Sequence, residues 1–199
     1  MKILAIGAHP DDYEVGCFGT LTKHYMNGDK IFGLILTRGN KGGDPDEREH
    51  EAIHSASLLK MELTLGNFED GKLPYDISLI AFLEDHIKKI KPDIVYVTSQ
   101  HDRHQDHKHL GMAILPATRS VNEVYAYECI SSTNEFNPTY SVNINASKGV
   151  KQTSINSHKS QLHRMYMERF ELINAYRGLK IGKISDLYES FEVIKRIVP

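Results

Sequence analysis

The sequence predicts an α/β fold: a single-domain, Rossmann-like, mostly parallel sheet with helices on both faces. Three observations lead there. Residues 2–7, 31–37 and 93–98 are short β-branched and aliphatic runs with little polar alternation, as expected of strands covered on both sides. Amphipathic segments separate them, which is the spacing of βαβ units. No repeat, low-complexity tract or linker interrupts the 199 residues, so 1–199 is expected to form one domain.

The elements follow in order. After the first strand, residues 16–27 read as a helix ended by Gly28-Asp29, and 31–37 as the second strand. Beyond the glycine-rich stretch 38–43, Asp44-Pro45 starts a helix running to about Lys60, with Ala52, Ile53, Ala56, Leu58 and Leu59 at helical spacing. Residues 61–65 form a short strand, 77–90 an amphipathic helix stopped by Pro92, and 93–98 the most strand-like run in the chain. A helix over 107–119, a strand over 123–129 and a long helix over 156–176 complete the expectation.

Composition excludes several classes of function. With 24 basic and 26 acidic side chains the net charge is −2, which disfavours a nucleic-acid-binding face. No apolar run reaches the roughly 18–20 residues that cross a bilayer, and the opening run turns polar at His9, too early for a signal-peptide core. A cytoplasmic protein without a membrane span is expected. Cys17 and Cys129 form no C-x-x-C pair and fit a reducing compartment. The unusual feature is 11 histidines, four of them between positions 101 and 109.

In a sheet of this kind ligands bind beyond the carboxyl ends of the strands. Three polar clusters fall there: residues 9–14, 38–43 and 101–109. His9-Pro10-Asp11-Asp12 stands where a dinucleotide binder carries its glycines, so a dinucleotide is disfavoured. It offers instead an imidazole and two carboxylates, a common zinc environment, and a catalytic zinc needs only three protein ligands. His104 and His107 are the best candidates to complete the set. Alone, the first cluster reads as acidic helix caps and the second as a solvated polar loop; at adjacent strand ends they read as one site.

These motifs, with Glu14, Gly16, Gly19, Thr20 and Leu21 after the first and His104-Gln105-Asp106-His107 as the second, resemble those of the PIG-L/LmbE-like zinc-dependent N-deacetylases. Thr37-Arg38-Gly39-Asn40, Arg48 with Glu51, Asp70-Gly71, Pro92-Asp93, Tyr127-Glu128, His158-Lys159-Ser160-Gln161 and Tyr176-Arg177-Gly178 extend the likeness over most of the chain. Glu14, two positions after Asp12, is similar to the bacillithiol-pathway branch.

The resemblance implies that His9, Asp12 and His107 hold Zn2+, a set that also suits Fe2+, and that Asp11 is the general base. It makes protonated His104 the oxyanion partner, positioned by Asp106, and places Arg48 and Asp70 at the substrate. Arg48 has a second reading as a helix partner of Glu47 or Glu51, and Asp70 as the maker of a turn. His158 and Gln161 fall at the pocket edge or in packing roles, while His24, His50, His54, His86 and His163 read as solvated. Phe18 and Tyr188 depart from the family pattern at positions that bear on the acyl or sugar pocket, and the sequence leaves their effect on it open.

The implied activity is hydrolysis of the acetamide of an N-acetylglucosamine-type sugar or glycoconjugate to amine and acetate. The alternatives are a thiol-conjugate amidase on a related glucosaminyl scaffold and a non-catalytic sugar-binding module. An N-acetylated sugar is the expected partner, and the resemblance is compatible with a homo-oligomer.

Overall fold

The computed structural model describes residues 1–164 and 166–197. Strand β1 (Lys2–Gly7) is buried from Ile3 onward. Its alternating side chains explain why: Leu4 and Ile6 pack on one face with α4 (Ile77–Ile90) and α5 (Gln105–Ala117). Ile3 and Ala5 pack on the other with α2 (Phe18–Met26) and α3 (Pro45–Ser57).

The remaining strands are β2 (Lys30–Thr37), β3 (Glu62–Phe68), β4 (Ile94–Thr98), β5 (Glu123–Tyr127), β6 (Tyr140–Asn143) and β7 (Tyr188–Arg196). Among the described residues they form one sheet in the order β3-β2-β1-β4-β5-β7-β6. The first five are parallel, and β7 runs antiparallel to both β5 and β6. The chain leaves β1 towards β2 and β3, then returns to lay β4 on the other side of β1. That reversal is a topological switch point, where loops diverge and leave a crevice at the carboxyl ends of β1 and β4.

Local chemistry sets the helix starts. Asp44 caps α3 by accepting from the amides of Asp46 and Glu47, with Pro45 next in line. Asp76 does the same for α4, which ends at Lys91 with φ +53 before Pro92.

Two helical expectations are corrected. The helix expected over 16–27 forms as α2 (Phe18–Met26), and a separate short helix α1 (Asp12–Gly16), entered through Asp11 at φ +104, precedes it, the two divided at Cys17, whose φ of −147 is not helical. The long helix expected over 156–176 is interrupted. The chain forms α6 (Lys148–Ser157), a 3-10 segment Lys159–Arg164 and α7 (Tyr166–Lys180), while Met165 lies outside the described residues. The break falls at His158, whose buried ring is held 3.1 Å from Glu14.

Strands β6 and β7 were not expected, since a buried carboxylate obscures the apolar run of β7. Glu189 accepts from Gly19 N, Thr20 N and Thr20 Oγ1 at the start of α2 and from Lys151 Nζ at 2.6 Å. Phe18 is fully buried in the core beneath α2, and neither it nor Tyr188 lines the cavity described below.

Candidate active site

At the carboxyl end of β1, Asp12 Oδ2 accepts from the amides of Ala8 at 2.7 Å and His9 at 2.9 Å. Its other oxygen, Oδ1, faces His107 Nε2 at 3.1 Å. His107 reaches this point because α5 begins at Gln105, two residues earlier than expected, which puts His107 in the first turn. His9 Nδ1 lies 3.3 Å from His107 Nε2 and 3.7 Å from Asp12 Oδ2. Among the described residues the groups whose donor atoms lie close enough to hold a metal are His9 with His104 and His107, His107 with Asp102 and Cys129, and His9 with Asp70 and Asp106; Asp12 turns one oxygen to each of His107 and His9 beside them.

The outward ring nitrogens suit a bound cation too. His9 Nε2 lies 3.1 Å from both Asp106 Oδ2 and Asp70 Oδ1, and His107 Nδ1 lies 3.4 Å from Asp102 Oδ2. Carboxylates behind ligating imidazoles fix the tautomer and strengthen the ligand. Burial works against charge on both rings, but Asp106, Asp12 and Asp70 hold His9 well above the ordinary range, and Asp12 and Asp102 do the same for His107. Burial likewise opposes ionisation of Asp12, yet His107 and His9 keep it well below the usual carboxylate range. The cluster is polarised into anionic and cationic halves, which a cation would replace on the histidine side.

Asp11 sits beside this set in a different environment. Burial pushes its carboxyl up to about 6, against the pull of Arg48 and with a further push from Asp12. Arg48 is buried and pairs with neither Glu47 nor Glu51. Its Nη1 donates to Gly39 O at 2.8 Å, and its Nη2 to Pro10 O at 2.6 Å and Asp11 Oδ2 at 3.1 Å. Gly39, at φ +65, is required for this approach: a Cβ there would stand 2.4 Å from Arg48 Nη1. Arg48 lines the cavity, but its guanidinium is committed to the loops that carry Asp11.

Asp106 does not position His104. Its carboxylate accepts from Gly71 N at 2.7 Å and Leu73 N at 3.1 Å and faces His9, while its backbone amide donates to His104 Nδ1 at 3.3 Å. His104 is therefore the N-cap of α5. With Nδ1 accepting, the ring proton is on Nε2, and His104 is neutral rather than protonated; burial and the neighbouring His107 and His9 lower its pKa. Its ring centroid lies 4.7 Å from those of both His9 and His107. Asp70 is buried, accepts from Lys41 N at 2.6 Å and faces His9, so one of its oxygens backs the same imidazole as Asp106.

Sequence reasoning passed over Asp102, whose role depends on α5 turning His107 back towards it, and the buried Glu14–His158 pair behind Asp11. Lys41 and Arg169 were also missed, and His163 lines the cavity while remaining exposed to solvent. Of the other histidines, His101 pairs with Glu192 and His109 donates to Leu73 O. His50-Glu51-Ala52-Ile53-His54 has the spacing of a zinc-protease helix. Glu51 is instead tied to Ser160 N and Oγ, and no third metal-binding side chain groups with the two histidines among the described residues.

The cavity over the cluster measures about 640 Å³ and is lined by His9, Asp11, Asp12, His104, His107 and Cys129 at its base. Residues 4–118 match the family described as PIG-L: GlcNAc-PI de-N-acetylase. The chain belongs to the PIG-L family. Within it, the chain is 34% identical over 167 residues to the Escherichia coli protein named uncharacterized deacetylase YaiS, covering 79% of this chain and 90% of that one. It is 26% identical over 210 residues to the diacetylchitobiose deacetylase of Thermococcus kodakarensis, covering 92% and 79%.

Among solved structures, the N,N'-diacetylchitobiose deacetylase of Pyrococcus horikoshii superposes with a TM-score of 0.86 at 24% identity, over 97% of this chain and 83% of that one. The 4-carboxy-2-hydroxymuconate hydratase GalB of Pseudomonas putida gives 0.82 at 21% identity, over 100% and 98%. At these identities the likeness is one of fold, and the fold of the PIG-L family carries more than one chemistry. No helix among the described residues is long and apolar enough to cross a membrane.

Proposed function

We propose that this PIG-L family protein is a metal-dependent N-deacetylase that hydrolyses the acetamide of an N-acetylglucosamine-type sugar or glycoconjugate to amine and acetate. The observation that carries the reading is Asp11: a carboxylate beside the three-donor cluster whose Oδ2 is held by Arg48 and whose Oδ1 takes no protein hydrogen bond among the described residues. Metal ligation alone needs no such group. The sugar is inferred from the family description and from the diacetylchitobiose deacetylase relative.

His9, Asp12 and His107 would hold the ion, for which zinc is the first choice and ferrous iron the second. A divalent cation there supplies Lewis acidity, bringing the pKa of water down towards about 7. Asp11 Oδ1 takes the proton from the water that attacks the acyl carbon. His104 donates its Nε2 hydrogen to the oxygen on which negative charge develops. As the carbon–nitrogen bond breaks, Asp11 returns its proton to nitrogen, leaving free amine and acetate and restoring the base.

The non-catalytic reading leaves Asp11 and its Arg48 brace without a purpose. A thiol-conjugate amidase would use the same groups and differ in the acyl chain. Two buried free thiols, Cys17 and Cys129, support a reducing, cytoplasmic setting. The test is acetate release from a panel of N-acetylglucosamine conjugates by zinc-loaded protein, chelated protein and the Asp11→Asn variant. Release that needs both metal and Asp11 is expected; release unaffected by chelation or by Asp11→Asn overturns the reading.

A further inference from the structure

His107 turns Nε2 to Asp12 and the cavity, and its other nitrogen, Nδ1, to a second group of donors that the hydrolytic chemistry leaves unused. Asp102, His107 and Cys129 are all buried, and their ligand atoms lie within 4.8 Å of one another. Asp102 comes from the loop after β4, His107 from the first turn of α5 and Cys129 from the turn after β5.

What marks this group is unmet polar demand. Asp102 Oδ2 and His107 Nδ1 have no hydrogen-bond partner among the described residues, although the two residues are only 5% and 7% exposed. They stand 3.4 Å apart without the alignment of a hydrogen bond. Buried polar atoms left in this way are costly and call for a further partner such as an ion. His9 provides the contrast. Its outer nitrogen, Nε2, is hydrogen-bonded to Asp106 Oδ2 at 3.1 Å, and Asp106 and Asp70 are held in turn by the amides of Gly71, Leu73 and Lys41.

The three donors are fixed before any ion arrives. Asp102 Oδ1 accepts from His104 N at 2.8 Å, which leaves Oδ2 as the free oxygen. Thr98 Oγ1 donates to His107 O at 3.0 Å and ties the first turn of α5 to β4. Cys129 sits in a turn in which its amide donates to Ser132 Oγ at 3.0 Å and its carbonyl accepts from Ser132 N at 3.1 Å. A β-bridge between Asp102 and Ser132 joins that turn to the loop carrying the carboxylate. Cys129 also lines the cavity, so an ion has an entrance from solvent.

We infer that Asp102 Oδ2, His107 Nδ1 and Cys129 Sγ form a second metal site, which takes a thiophilic divalent ion such as zinc or cadmium and shares His107 with the set of His9, Asp12 and His107. This goes beyond the deacetylase reading and is tested apart from it. Sulfur distinguishes the two sites: the first offers only nitrogen and oxygen, whereas a thiolate favours softer ions. Three protein ligands suffice, with water from the cavity in the fourth place. As the ion binds, the thiol proton and the Nδ1 proton pass to solvent, and the ring of His107 bridges two ions through its two nitrogens. Asp102 then exchanges its place behind His107 for direct ligation.

The probes are zinc and cobalt added to the metal-free protein. X-ray absorption at the zinc edge of the saturated wild type should show sulfur at about 2.3 Å besides nitrogen and oxygen at about 2.0–2.2 Å, a readout that needs no variant. Cobalt should give a thiolate-to-metal charge-transfer band in the near ultraviolet. Bound zinc by elemental analysis should be about two ions per chain in the wild type and about one in Cys129→Ser, from which both sulfur signals should be absent. His9→Ala should lose the other ion and keep the sulfur signals, and Cys17→Ala should keep both ions.

Saturating zinc without sulfur at the ion overturns the second site and leaves the first standing. A sulfur signal that survives Cys129→Ser overturns it too. So does a sulfur signal lost in His9→Ala, since one ion would then serve both groups. Acetate release that proves independent of metal, with the sulfur signals as expected, overturns the deacetylase reading and supports the second site.

Discussion

Arg48 Nη2 lies 2.6 Å from Pro10 O and 3.1 Å from Asp11 Oδ2, so one edge of a buried guanidinium holds both the turn that carries the proposed base and the base itself. Asp11 needs this, since its φ of +104 is a backbone state that costs a non-glycine residue roughly 1–3 kcal/mol and persists only when its surroundings impose it. Arg48→Lys keeps the charge and loses the fork. The expected outcome is a fall in kcat of up to about 10²-fold with a smaller change in KM, as for misplacement of a reacting group. Steady-state kinetics check it; a rise in KM with kcat preserved would return Arg48 to direct substrate binding.

Asp11→Asn separates function from stability. Turnover should drop by roughly 10²–10⁴-fold while bound metal, measured by elemental analysis, stays at the wild-type level. The metal-free variant should also melt higher at pH 7. A carboxyl raised to about 6 in the folded state, from about 3.9 unfolded, contributes stability that is present below pH about 4 and lost as pH rises through 6. The ionised group is therefore a cost at neutral pH that asparagine removes, and asparagine tolerates the left-handed backbone. Each ~1 kcal/mol recovered should raise Tm by about 2–4 °C, and the difference should vanish near pH 4.

The same titration sets an acid limb. Since the base acts only when deprotonated, kcat should fall tenfold per pH unit below a midpoint at or under about 6, bound cation shifting it further down. Residual activity of Asp11→Asn should lack this limb in a pH–rate profile.

Metal retention should depend on the carboxylates behind the imidazoles as well as on the ligands. His107→Ala is expected to lose bound metal outright. Asp102→Asn and Asp106→Asn, behind His107 and His9 respectively, should each weaken metal affinity by about 10–100-fold in a competition titration against a chelator. Unchanged affinity in both would remove them from that supporting role.

Glu189→Gln tests the antiparallel edge. Removing the charge leaves the buried Lys151 ammonium without its anionic partner and turns one of the two oxygens that serve it and the start of α2 into a donor. Breaking one side of a buried ion pair is expected to cost about 3–5 kcal/mol, read from the urea midpoint of the variant against the wild type.

The legible parts of the molecule were those that local pattern controls. Helix α4 forms over residues 77–90 as its periodicity and Pro92 stop require. The aliphatic runs of β1, β2 and β4 announced strands buried on both faces, and their polar sequels announced a common rim. The break at His158 and strand β7 were hidden because both depend on buried charge: Glu14 beneath one and Lys151 beside the other. A charged residue in a sequence reads as surface until its distant partner is known.

The sequence by itself determined the α/β class, a common polar rim at the carboxyl ends of the strands and a set of His, Asp and Arg candidates on it. What only the tertiary structure decided is how those candidates divide the work. Asp106 turns to His9 and away from His104, Asp102 turns to His107, and Arg48 closes on Asp11 across 37 residues. The physical reason is directional. Periodicity reports which face of an element is buried, whereas a hydrogen bond or a ligand bond depends on where one side-chain atom meets another of a different loop, at distances near 3 Å that no spacing in the sequence encodes.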